Sequence, residues 1–196
     1  MPRTFDGSVG WPALRARFAD RLPPPTLAVL DAAVAFAAER HGDQRRPAGE
    51  PYVEHLLEAL EVLVEAVGER DPDTLCAAVL HDVVEDTPTT LDEVRERFGP
   101  RVAELVGWVT KQGDREEYLA ALRDAPDAAL AVKLADRVSN VQRLRTHPRP
   151  AKRASYYRET VATIVPLAAG RPWFEAWYRD WQAEHADLER LDGEQS

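Results

Sequence analysis

The stretch Leu80-His81-Asp82-Val83-Val84-Glu85-Asp86-Thr87 gathers a histidine and three carboxylates within six positions, His81 to Asp86. It follows the apolar run Ala77-Ala78-Val79-Leu80. Continued as a helix, it places Glu85 one turn beyond His81 and Asp86 one turn beyond Asp82. Four polar side chains then line one rim at the end of a buried helix. Carboxylates held that close repel one another and lose hydration unless a cation or a proton sits among them. A metal site accounts for this arrangement better than any demand of the fold.

A second group is Lys133, Asp136, Arg137 and Asn140, spaced i, i+3, i+4 and i+7 along one helical face. Leu130, Leu134, Val138 and Val141 form the complementary apolar face. Alone, the polar face reads as a solvated ion-pair surface. The cluster at residues 81–86 changes that weighting, because a metal there needs ligands from elsewhere in the chain, and Asp136 is a good candidate. His55 lies near the start of an amphipathic segment, where a lone histidine is ordinarily packed or on the surface. His41 stands at a helix C-terminus and suits the dipole there. His147 and His185 receive no role. From Arg137 to Arg158 there is no acidic residue, and Arg45 and Arg46 make a second basic group. Each group reads either as solvated surface or as a surface toward polyphosphate, for which arginine provides both charge and planar stacking. Trp173, Trp177 and Trp181 recur every four residues, beside Phe174 and Tyr178. This stripe reads as core or as a subunit contact, which leaves a homodimer open. Cys76 reads as packing.

The elements that must position these groups are helices. Alanine, leucine, glutamate and arginine dominate, and no convincing alternating strand pattern occurs. Helices are expected at 26–40, capped by Thr26, and at 52–67, 72–84 and from Thr89 or Thr90 to Phe98. Others are expected at 100–111, 114–124, 127–145, 151–169 and 172–190, with a short one around 12–21. The 15 prolines fall mostly at junctions between these segments. At 196 residues, with no repeat or linker, the chain is expected to form a single domain over 1–196. Its motif-bearing core is 26–145, followed by C-terminal helices over 146–196. A net charge of −9, from 34 acidic and 25 basic residues, argues against general binding to nucleic acid or an anionic membrane. It leaves an anionic small-molecule substrate open. A single cysteine excludes an intramolecular disulfide and suggests a reducing compartment. No signal core or membrane-length apolar run occurs, so a soluble, cytoplasmic protein is expected.

Three ordered segments resemble the HD-domain hydrolase of the RelA/SpoT family. The first is Gln44-Arg45-Arg46 through Gly49-Glu50-Pro51-Tyr52 to His55. The second is Ala77 to Thr87, and the third is Lys133-Leu134-Ala135-Asp136-Arg137 with Asn140. Phe98-Gly99 and Val109-Thr110-Lys111 between them also fit. The resemblance covers about residues 26–145 and implies an all-α HD-domain helical bundle with a metal site between helices. It implies manganese (Mn2+) held by His55, His81, Asp82 and Asp136, a donor set that suits manganese or a similar divalent ion. It assigns Glu85 and Asp86 to the attacking water, Arg46 to stacking on a purine and Asn140 to the nucleoside. Lys133 and Arg137 become phosphate or structural partners.

The implied activity is manganese-dependent 3′-pyrophosphohydrolysis of the nucleotide alarmone (p)ppGpp, releasing pyrophosphate and GDP or GTP. Two departures stand out. Leu56 follows the first histidine where the family usually has proline. Pro47 follows the stacking arginine where a basic residue is common, which removes a charge near the nucleotide. Adenosine alarmones and the 2′-phosphate of NADPH therefore remain alternative substrates, and an inactive nucleotide-binding module is the non-enzymatic alternative. The chain stops before the synthetase and regulatory domains of the long enzymes, so it resembles a small alarmone hydrolase. Such an enzyme could act as the antitoxin of a small alarmone synthetase.

Overall fold

The structure is a computed structural model that describes residues 2–189. Those residues are helical, with no β-strand among them and one isolated bridge between Arg45 and Pro51. The helices are α1 (Gly10–Phe18), α2 (Pro24–His41), α3 (Tyr52–Glu61), α4 (Pro72–Leu80), α5 (Val83–Asp86), α6 (Leu91–Phe98), α7 (Pro100–Val109), α8 (Arg115–Ala121), α9 (Asp127–Val141), α10 (Pro150–Glu159) and α11 (Pro172–Glu184). No helix among the described residues is long and apolar enough to cross a membrane.

Local chemistry sets most of the helix starts. Helices α2, α4, α7, α10 and α11 carry proline in the first two positions, where a missing N–H costs nothing. Because Pro24 can open α2, that helix starts earlier than expected, and Thr26 is buried within its first turn instead of capping it. Asp71 caps α4 by accepting from Thr74 N, and Asp114 caps α8 by accepting from Glu116 N and Glu117 N. Thr90 caps α6 by accepting from Glu93 N. The Glu93 carboxylate pairs with Arg40 at 2.5 Å.

The core is organised around α4, which packs against α2, α3, α7 and α9. Every residue from Thr74 to Leu80 is buried. Truncating a leucine in such a position costs about 2–5 kcal/mol, so Leu75 is a strong anchor.

The helix expected over 127–145 is α-helical only to Val141 and is followed by a 3-10 turn at Leu144–Thr146, and three further expected helices are interrupted for local reasons. The helix expected over 72–84 breaks at His81-Asp82, where Asp82 adopts φ −103° and ψ −5°. The His81 Nδ1–H donates to Ala78 O at 2.8 Å, so the side chain takes up a carbonyl at the end of the helix. The segment expected over 52–67 widens to a π-helical turn at Val62–Val67 and stops at Gly68, whose φ of 83° favours glycine. The segment expected over 151–169 leaves α10 through a π-helical turn at Thr160–Ile164 and a 3-10 turn at Val165–Ala168. Pro166 lies in that last turn and cannot continue an α-helix without clashing with the preceding one. Helix α11 ends at Glu184, followed by a 3-10 turn at Ala186–Glu189; residue 190 of the expected helix lies outside the described residues.

The aromatic stripe lies inside the chain. Phe174, Trp177, Tyr178 and Trp181 are buried, and their polar atoms are used. Tyr178 Oη donates to Leu134 O at 3.0 Å, and Trp181 Nε1 donates to Val141 O at 3.0 Å. Trp177 Nε1 donates to Arg3 O at 2.7 Å. Thus α11 is tied both to α9, the helix that carries Asp136, and to the N-terminal segment. Phe174, Trp177, Tyr178 and Trp181 are core packing, while Trp173 is half-buried against that core.

Candidate metal centre and adjoining cavity

Three separate pieces of backbone bring the candidate ligands together. His55 comes from α3, His81 and Asp82 from the break between α4 and α5, and Asp136 from the middle of α9. The two Nε2 atoms lie 3.1 Å apart. Asp82 Oδ2 is 3.4 Å from His55 Nε2 and 3.2 Å from His81 Nε2. Asp136 Oδ1 approaches the same nitrogens at 3.2 Å and 3.6 Å. The donor atoms of His55, His81 and Asp82 all fall within 4.8 Å of one another and could hold a metal ion.

Burial opposes charge on His81, Asp82 and Asp136, and the neighbours outweigh it. For His81, burial alone would lower the pKa, but Asp82 and Asp136 lift it well above the usual imidazole value. For Asp82, His81 and His55 overcome burial and hold the carboxyl well below its ordinary range. For Asp136, Lys133 and both histidines do the same.

The outer ring nitrogens decide whether this set fits a cation. His81 Nδ1 faces the Ala78 carbonyl, which can only accept, so Nδ1 carries a hydrogen. His55 Nδ1 lies 2.7 Å from Ser139 Oγ, whose hydroxyl donates to Glu58 Oε2 at 2.5 Å. His55 Nδ1 therefore also acts as the donor. In their neutral forms both rings turn an Nε2 lone pair inward, onto two carboxylate oxygens. Two nitrogen and two oxygen donors converging without a hydrogen between them fit a divalent cation of the manganese or zinc kind.

The remaining expected site residues divide into three groups. Lys133 Nζ pairs with Asp136 Oδ2 at 2.9 Å, and Asn140 Nδ2 donates to Asp136 Oδ1 at 2.5 Å. Arg46 Nη2 donates to Asn140 Oδ1 at 3.1 Å, which links the loop before α3 to α9. Asp86 and Glu85 stay exposed at the rim. Asp86 Oδ2 accepts from Tyr52 Oη at 2.6 Å, and Glu85 Oε2 accepts from Lys111 N at 2.9 Å. Arg137 is engaged elsewhere, pairing with Glu159 Oε1 at 2.7 Å.

A cavity of about 250 Å³ opens beside His55, lined by Arg45, Arg46, Pro47, Tyr52, Asn140 and Arg143, with Tyr156 and the 146–148 loop completing the wall. Much of the acid-free stretch from Arg137 to Arg158 is already bound to protein groups. Arg143 pairs with Glu58 at 2.5 Å, Arg145 with Asp187 at 2.7 Å, and Arg153 Nη2 donates to His147 O at 2.8 Å. The basic character of the cavity thus comes from Arg45, Arg46 and Arg143, not from the whole stretch.

Three residues of this site escape a reading of residue type alone. Tyr52 Oη lies 2.6 Å from Asp82 Oδ2 as well as from Asp86 Oδ2, so one phenol bridges the centre and the rim. Burial first, then Asp82 and Asp86, push its pKa far up and keep it a donor. Ser139 and Glu58 form the support behind His55. Their signal is spacing: Tyr52 and Glu58 flank His55 at three residues on α3, and Ser139 follows Asp136 by three on α9.

The chain belongs to the HD domain family, which it matches over residues 33–172. It is similar to the guanosine-3′,5′-bis(diphosphate) 3′-pyrophosphohydrolase of Aquifex aeolicus (strain VF5), at 42% identity over 149 residues, 71% of this chain and 21% of that protein. The bifunctional (p)ppGpp synthase/hydrolase SpoT of Escherichia coli (strain K12) is 36% identical over 161 residues, 75% of this chain and 22% of that protein. The chain therefore spans about a fifth of the length of these relatives. Among solved structures, a metazoan ortholog of SpoT described as hydrolysing ppGpp matches with a TM-score of 0.74 and 28% identity. That match covers 80% of this chain and 95% of the other.

Proposed function

We propose that this chain is a manganese-dependent hydrolase of nucleotide alarmones, removing pyrophosphate from the 3′ position of (p)ppGpp. The observation that carries the reading is the convergence of His55, His81, Asp82 and Asp136 beside a cavity bearing Arg46 and Asn140. Relatives named for this hydrolysis support the substrate class. A bound divalent ion would polarise the phosphate ester and acidify water.

The chain's own residues supply the rest. Arg46 offers a planar cation for stacking on a purine, and Asn140 offers hydrogen bonds to the nucleoside. Lys133 neutralises Asp136 and adds positive charge near the phosphates. Glu85 and Asp86, exposed at the rim, orient the attacking water and take its proton. Water oxygen adds to the phosphorus attached to O3′, the P–O3′ bond breaks, and the ribose oxygen leaves with a proton. Pyrophosphate and GDP or GTP are the products. Arg137, committed to Glu159, acts structurally in this scheme and not as a phosphate ligand.

Incubation of the purified protein with manganese and ppGpp should release pyrophosphate. Chelation of the metal or Asp82→Ala should stop the release. Turnover that survives either treatment refutes the proposal. One observation favours widening the substrate panel: Pro47, uncharged, lines the cavity next to Arg46. Adenosine alarmones and NADPH belong in the panel, and a strong preference for guanine would dismiss them.

A further inference from the structure

We propose that Glu58 is a positioning residue for the metal centre, acting through Ser139 to hold His55 in the tautomer that presents a bare Nε2. The inference rests on the metal reading of the proposed function, and it concerns a residue that touches neither metal nor substrate.

Glu58 lies on α3 with only 3% of its surface exposed. Packing does not call for a carboxylate there, since an apolar side chain would fill the position without the cost of dehydrating a charge. Its oxygens are instead fully committed. Oε1 accepts from Arg143 Nη1 at 2.5 Å. Oε2 accepts from Ser139 Oγ at 2.5 Å and, more distantly, from Arg46 Nη1 at 3.4 Å.

The direction of these bonds sets the state of the histidine. A guanidinium can only donate, and a carboxylate paired with two of them can only accept. The single hydroxyl hydrogen of Ser139 is therefore spent on Glu58. What Ser139 offers His55 is a lone pair, and His55 Nδ1, 2.7 Å away, must supply the hydrogen. The other ring nitrogen is left with its lone pair facing His81, Asp82 and Asp136. Polarity thus runs in one direction, from imidazole through hydroxyl to carboxylate. Arg143, which also donates to Phe5 O at 2.5 Å, holds the far end in place.

Glu58→Gln keeps the shape and reverses that polarity. The amide oxygen must face Arg143, the closer and stronger donor, which turns the NH2 group toward Ser139. An NH2 group only donates, so the Ser139 hydrogen is released toward His55 Nδ1. The ring then carries its hydrogen on Nε2, where it blocks a cation. Ser139→Ala has a milder effect, leaving the His55 Nδ1–H without an acceptor. Glu61, on the same helix, is a suitable control. It is also buried, at 5% exposure, and its carboxylate accepts from Asp6 N at 3.2 Å in the N-terminal segment and from Arg17 Nη2 at 2.6 Å in α1.

The test is calorimetric titration of Mn2+ into the full chain without nucleotide, alongside the unfolding temperature of the metal-free proteins. Glu58→Gln should bind Mn2+ about 10–100-fold more weakly than the unaltered chain, the range typical of residues that orient metal ligands. Ser139→Ala should weaken binding by a smaller factor. Glu61→Gln should leave affinity unchanged even where it lowers the unfolding temperature. Unchanged affinity in Glu58→Gln, or equal weakening in Glu61→Gln, overturns the inference. Should Glu58→Gln fail to fold, unchanged affinity in Ser139→Ala overturns it alone. An unaltered chain that binds no Mn2+ instead defeats the proposed function itself.

Discussion

Asp82 and Asp86 lie four residues apart, each 2.6 Å from the same phenol oxygen, and have opposite surroundings. Asp82 faces two imidazoles across 3.2–3.4 Å and is held well below its ordinary pKa by them. Asp86 is exposed at the rim, with Tyr52 as its hydrogen-bond donor. A continuous helix would place both carboxylates on one face. The break at His81-Asp82 turns one toward the centre and leaves the other facing solvent. Holding a cation and moving a proton make conflicting demands on a carboxylate, since the first needs a fixed, paired oxygen and the second an accessible one. In the proposed function the kink would separate those demands within a single short stretch.

The largest expected effect comes from removing a charge on the buried side. Asp136→Ala should abolish both pyrophosphate release and measurable Mn2+ binding, with Lys133 left without its carboxylate partner. Retained Mn2+ affinity in this variant would remove Asp136 from the centre. On the exposed side, Asp86→Ala should lower kcat by about 10²–10⁴-fold while Mn2+ affinity stays the same. Parallel loss of metal in that variant would erase the distinction between the two carboxylates. The bridging phenol is a finer probe. Tyr52→Phe removes the phenol that lies 2.6 Å from both carboxylates, a hydrogen bond worth roughly 0.5–1.5 kcal/mol, so kcat should fall about two- to tenfold and Mn2+ affinity by no more than that factor.

The smallest effect is a pH dependence of stability. In the metal-free protein His81 has a raised pKa, so its stabilisation is complete below about 6.5 and declines as pH rises through the folded value. Asp82 and Asp136 have lowered pKa values, so their contribution is complete above about 3.9 and is lost as pH falls through the folded values. Metal and proton compete for the same nitrogen. The rise in unfolding temperature produced by Mn2+ should therefore grow between pH 6 and 8. A rise that is constant across that window would place the ion elsewhere.

Much of the fold is legible in the residues because its signals are local. Prolines mark helix junctions, Thr90 caps α6, and apolar spacing separates the faces of α9. His81 and Asp82 are legible for a similar reason, since a dense run of histidine and carboxylates is costly without a cation, whereas His55 enters as a candidate only through the family resemblance. Signals that depend on a partner far along the chain are not legible. Arg137 belongs to the same helical face as Lys133 and Asp136, yet Glu159, 22 residues on, captures it. The tryptophan stripe is equally compatible with a subunit interface until the carbonyls of α9 supply its acceptors.

The amino-acid sequence by itself determined the chemistry available: which atoms can bind a cation, which can accept a proton and where helices begin. Tertiary structure decided the assignment of those atoms. Whether His55 presents a lone pair or a hydrogen depends on Ser139 and Glu58, residues 81 positions apart in the chain. Hydrogen-bond polarity is a property of neighbours in space, and no spacing along the chain encodes it.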